Sequence, residues 1–102
     1  MKKYIKSDTY IEFPPEIEDK ILRRFETIGI EVVDTWVSEY HQDGYTIEQF
    51  VVECGNSNDI QLGDVQAFRR KLDSMGVESD REHNDNGFYG YTFTFTFVKY
   101  ID

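Results

Sequence analysis

The chain alternates between two hydrophobic periods, and the switches between them mark its elements. Ile17, Ile21, Phe25 and Ile28 recur at i, i+4, i+8 and i+11, the apolar stripe of a helix that Pro14-Pro15 opens and Gly29 closes. Glu16, Glu18 and Asp19 crowd its first turn, and Lys20, Arg23 and Arg24 come later, which suits the helix dipole. A second stripe, Val65, Phe68, Leu72 and Met75, predicts a helix from Asp64 to Ser74 that Gly76 ends. Elsewhere the period is two. Thr9 to Phe13 reads as a short strand. Ile30 to Tyr40 and Tyr45 to Cys54 read as a hairpin around Asp43-Gly44. Residues 55–59 read as a loop, Val77 to His83 as a polar edge strand, residues 84–87 as a turn, and Phe88 to Ile101 as the strongest strand.

The two helices exit alike. Arg23-Arg24-Phe25-Glu26-Thr27-Ile28-Gly29-Ile30-Glu31 and Arg69-Arg70-Lys71-Leu72-Asp73-Ser74-Met75-Gly76-Val77-Glu78 both run acid, hydroxyl, large apolar, glycine, β-branched, glutamate. Duplication and shared helix-exit chemistry explain this equally well. The elements read β-α-β-β-α-β plus one strand. They predict a single α+β domain over 1–102: a two-layer sandwich with two helices on one face of a mostly antiparallel sheet. The expected order is ferredoxin-like, with an extra C-terminal strand. That arrangement hosts many functions and selects none.

The Asp43-Gly44 turn sets a register. Gln42 faces Tyr45, and Val37, Thr35 and Val33 face Phe50, Val52 and Cys54, six residues expected in the core. The other face pairs Trp36 with Val51, Ser38 with Gln49, Tyr40 with Ile47, and Asp34 with Glu53, the last a like-charge pair. In the final strand Tyr91, Phe93, Phe95 and Phe97 alternate with Thr92, Thr94, Thr96 and Val98. So uncharged a run invites aggregation at an edge, so it is expected to be paired or covered, with its aromatics on the helices.

Charge changes the picture by its placement. The net charge is −9, and no Lys or Arg occurs from Phe25 to Phe68, a stretch with nine acids. The remainder is balanced, so the net charge belongs to the centre of the chain. Such a field repels nucleic acid and anionic lipid and attracts basic surfaces. One cysteine rules out an internal disulfide, and no apolar run is long enough to span a bilayer, so the expected location is the cytoplasm.

Candidate chemistry is thin. Gly87-Phe88-Tyr89-Gly90-Tyr91-Thr92-Phe93 resembles the aromatic-glycine strand of RNA-recognition motifs, but it sits in the last strand and lacks the leading base, so direct nucleic-acid binding is not expected. Asp80, Glu82, His83 and Asp85 do not have calcium-loop spacing, and one local histidine is too few for zinc. Cys54 with His41 or His83 carries no nucleophile signature. No cofactor motif is present, and the domain is expected to be non-catalytic.

The expected function is that of an acidic protein-binding domain. It is akin in size and charge to nuclease immunity proteins and to anti-defence inhibitors of basic, nucleic-acid-processing partners. Asp34, Trp36, Glu39, Tyr40, Glu48 and Glu53 are its candidate partner-binding residues, with carboxylates standing in for phosphates and aromatics as anchors. The rival reading is a ferredoxin-like homodimer that binds a small molecule at its sheet or subunit interface.

Overall fold

The computed structural model describes residues 5–7, 10–55, 59–83 and 90–98, with side chains over 10–55, 63–82 and 90–98. The chain order is β1 (Ile5–Ser7), β2 (Tyr10–Ile11), α1 (Pro15–Ile28), β3 (Val32–Gln42), β4 (Tyr45–Cys54), α2 (Asp59–Ser74), β5 (Val77–His83) and β6 (Tyr91–Phe97). Phe88, Tyr89 and residues 99–101, which the sequence adds to the last strand, lie outside the described residues.

Both helix exits are built as the glycines suggest. Gly29 and Gly76 have φ of 94° and 89°, the left-handed region where a side chain is strained. At the end of α1 the Gly29 and Ile30 N–H groups return to the Glu26 and Phe25 carbonyls. The β3–β4 hairpin also holds to its turn. Asp43 and Gly44 have φ of 53° and 82°, a type I′ loop, and every pair from Asp34↔Glu53 to Gln42↔Tyr45 stands in the expected register.

The strand order differs from the ferredoxin-like expectation. β4 is central, with β3 along one side, and along the other β6 next to its second half and the two residues of β2 next to its first. β5 lies outside β6. The four long strands therefore run β3-β4-β6-β5, all antiparallel, while β2 pairs with β4 in parallel. The last strand holds the inner position that the ferredoxin-like order gives to the first. The reason is local. Pro14 and Pro15 stop the first segment after Ile11, since proline has no N–H for a ladder. The Phe/Thr run of β6 is long, uncharged and suited to pairing on both edges. The result is two α-β-β units, α1-β3-β4 and α2-β5-β6, whose second strands meet in the middle.

One core joins the helices to one sheet face. Ile17, Ile21 and Phe25 from α1 and Val65, Phe68 and Leu72 from α2 cover Phe50, Val52, Cys54, Phe93, Phe95, Phe97 and Val77. Phe25 is the hub, edge-on to Phe68, Phe93 and Phe95 with ring centroids 6.3, 5.4 and 6.3 Å away. The expected aromatic face of β6 is therefore the core face. Among the described residues no polar or charged side chain is fully buried.

Three further expectations are corrected. A β-bulge between Val32 and Asp34 leaves Val33 unpaired, so Val32 faces Cys54 and Val33 is turned out. Val37 faces Phe50 as expected yet is 47 % exposed, because β3 is an outer strand of the sheet. α2 begins at Asp59 rather than Asp64, one turn ahead of the apolar stripe, so Asp59, expected in a loop, opens the helix.

Candidate functional site

The open face of the sheet, opposite the helices, is set by alternation along four strands. Three rows cross it: Asp34, Glu53, Thr92 and Glu82; Trp36, Val51, Thr94 and Asp80; Ser38, Gln49, Thr96 and Glu78. These twelve positions hold five carboxylates and no base. Acids stand at both margins, on β3 and on β5, and threonines fill the middle. Gln49 donates to the Thr96 hydroxyl at 2.9 Å, which ties the third row together. Val51 is buried under its neighbours although it lies on this face, and beside it Trp36 remains 43 % exposed. One buried valine, a band of threonines, an exposed indole and carboxylates at the margins make up this surface.

Four of the six residues singled out from the sequence share this face: Asp34, Trp36, Tyr40 and Glu53. The other two, Glu39 and Glu48, sit directly opposite one another but point to the helix side. There the Tyr10 hydroxyl faces both carboxylates, 2.7 Å from Glu39 and closer still to Glu48, and the Phe13 N–H donates to the second Glu48 oxygen at 3.1 Å. The two carboxylates hold the Tyr10 hydroxyl firmly protonated, above the ordinary range of a phenol, through hydrogen bonds first to Glu48 and then to Glu39. Nearby, burial and then Glu48 and Glu12 push the Glu18 carboxyl above its ordinary value. This is a junction that pins β2 to the hairpin, on the other side of the sheet from the open face.

The sequence missed the acids of β5. Glu78, Asp80 and Glu82 complete the open face, but only the pairing of β5 with β6 and of β6 with β4 brings them level with Asp34 and Glu53. Their alternation with Ser79 and Arg81 was the available signal. Residues on the helix side of β5 are spoken for: Arg69 of α2 donates to the Ser79 hydroxyl and carbonyl at 2.8 and 3.0 Å, and Arg81 lies 4.8 Å from the Tyr91 ring centroid.

Of the Asp80, Glu82, His83 and Asp85 cluster, Asp85 and the His83 side chain lie outside the described residues. Cys54 is buried, and that burial, with the Glu53 charge second, pushes its thiol up to about 12, so it stays protonated at neutral pH. Gly90 has a steric role: a Cβ there would lie 2.1 Å from the Cys54 carbonyl oxygen. The Gly87-Phe88-Tyr89 part of the aromatic-glycine run lies outside the described residues. Among the described residues no group of three or more His, Cys, Asp or Glu side chains is placed to hold a metal, and no helix is long and apolar enough to cross a membrane.

The fold and the face together define a two-layer α+β domain of paired α-β-β units with one open, acidic sheet surface. No family model, curated protein or solved structure matches this chain.

Proposed function

We propose that the domain is a non-catalytic protein-binding module that docks a basic protein on its open sheet face, in the manner of an inhibitor or immunity-type protein of a nucleic-acid-processing partner. The observation that supports this is the composition of the face: five carboxylates and an exposed tryptophan over four strands, with no lysine or arginine among them. A basic partner that normally holds phosphates meets carboxylates instead, and Trp36 and Tyr40 supply anchor area. Long-range attraction from a net charge of −9 raises the encounter rate and is screened by salt.

The test is affinity capture from the cell of origin with the wild-type domain and with Asp34→Lys/Glu53→Lys. One specific basic partner, lost with the double variant and weakened steeply between low and high salt, is the expected result. A partner retained by the double variant, or binding indifferent to salt, rejects the reading.

A further inference from the structure

Every large hydrophobic residue that stands exposed among the described residues lies on one strand: Val33, Trp36 and Val37, at 47, 43 and 47 %, all on β3. β3 is also an edge, since among the described residues it pairs only with β4. A two-residue hairpin closes on a hydrogen-bonded pair, here Gln42 and Tyr45, and such pairs alternate along the ladder. The N–H and C=O groups of Thr35, Val37, Glu39 and His41 therefore point away from β4. The Thr35 N–H agrees with this: it donates to the neighbouring Asp34 carboxylate at 2.8 Å. Beside this edge runs a groove of about 680 Å³ between α1 and β3, with Leu22, Ile30, Val32 and Val33 as its apolar wall and Arg23 and Glu26 of α1 and Asp34 and Thr35 of β3 as its polar margin.

We propose that β3 is a strand-docking edge, and that it takes an extended segment of a protein partner in which apolar and basic residues alternate. This rests on the reading of the open face as a site for a basic partner and says how that partner engages. A strand laid along β3 extends the sheet by one, so its side chains fall alternately on the two faces. Those on the helix side lie against Val37 and the α1–β3 groove and are apolar. Those on the open side lie beside Asp34, Trp36 and Tyr40, where a lysine or arginine meets a carboxylate and aromatic faces. Charge selects this occupant over a second copy of the chain. Pairing β3 with β3 would bring two domains of net charge −9 together along their most acidic region.

The probe is a ten-residue peptide alternating lysine and valine, read by the fluorescence of Trp36, the single tryptophan of the chain. Two further peptides carry N-methyl groups on all valines or on all lysines, which blocks the amides of one phase of the strand. Saturable binding of the parent peptide, lost in one methylated peptide and kept in the other, is the expected result. Loss with the valines indicates antiparallel addition, and loss with the lysines indicates parallel addition. Val37→Lys, a change at an exposed position, is expected to weaken binding at least about tenfold, with the thermal melt confirming that it folds. Binding that survives both methylations is mere attraction to the acidic face and overturns the proposal while leaving the docking-face reading intact. So does a dimer in sedimentation with amide protection at Val37 and Glu39. Asp80→Lys/Glu78→Lys separates the two ideas from the other side: it changes the open face far from β3, so it abolishes face binding and spares the methylation pattern. No saturable binding of the parent peptide also sinks the proposal.

Discussion

The two outer strands of the four long ones, β3 and β5, hold equivalent places in the two α-β-β units and are finished in opposite ways. β5 alternates charges along its length, and its backbone is tied from above by Arg69. β3 carries two exposed valines and the exposed tryptophan, and no lysine or arginine. Charge on an edge, and cover over it, are the usual guards against unwanted strand pairing. β5 therefore has both guards, whereas β3 has the carboxylates of Asp34 and Glu39, the first of which occupies one N–H, beside an exposed apolar run. The same fold element can be closed or left available by its side chains alone.

The comparison can be broken at its shared centre. Gly90→Ala places a methyl group against the Cys54 carbonyl at the end of the β4–β6 ladder, where backbone cannot yield cheaply. We expect a loss of about 2–4 kcal/mol, measured by chemical denaturation, with both edges destabilised together. Arg69→Ala acts on one side only. It removes the donors to Ser79 and a cation 5.8 Å from the Phe93 ring centroid, at a cost of about 1–3 kcal/mol. Hydrogen exchange should quicken along β5 and stay unchanged along β3; equal acceleration at both edges would falsify the assignment of Arg69 as the guard of β5.

The smallest effect concerns charge crowding near the β3 side. Burial and the neighbouring Glu48 and Glu12 raise the Glu18 carboxyl above its ordinary value in the folded protein. A raised carboxyl favours folding below its unfolded value, and that contribution disappears as the pH rises through the folded value. Glu18→Gln should thus raise the melting temperature slightly at neutral pH, with the gain vanishing below about pH 4. A gain that is constant with pH would mean that packing, not charge, is responsible.

How far the chain could be read in advance depended on whether the information was local. Asp43-Gly44 forces two positive φ angles in succession, and from that alone every pair from Asp34 to Gln42 follows. Gly29 and Gly76 end their helices for the same reason. What was hidden depended on distant partners. Nothing near Thr92 says that it will stand between Glu53 and Glu82, so the β5 half of the acidic face was invisible until the sheet order was known. The bulge at Val33 was also hidden, because Val32-Val33 offers two equivalent side chains for one core position. Half of the candidate face was legible in the hairpin; Glu39 and Glu48 looked like part of it but alternate onto the other side.

The tight loop of the β3–β4 hairpin also has a consequence in time. A hairpin closed by two residues forms in about 1–10 μs, whereas the β4–β6 ladder joins residues as far apart in the chain as Gln49 and Thr96. Such distant pairings form slowly because the intervening chain must be ordered first. During synthesis the hairpin is complete while β6 has still to emerge, and for that interval β4 shows an open edge of its own. The Phe/Thr strand that fills it is the most aggregation-prone segment of the chain. Until that strand docks, the slot beside β4 and the strand that fits it are both exposed, so slow docking is expected to lower the yield of folded protein.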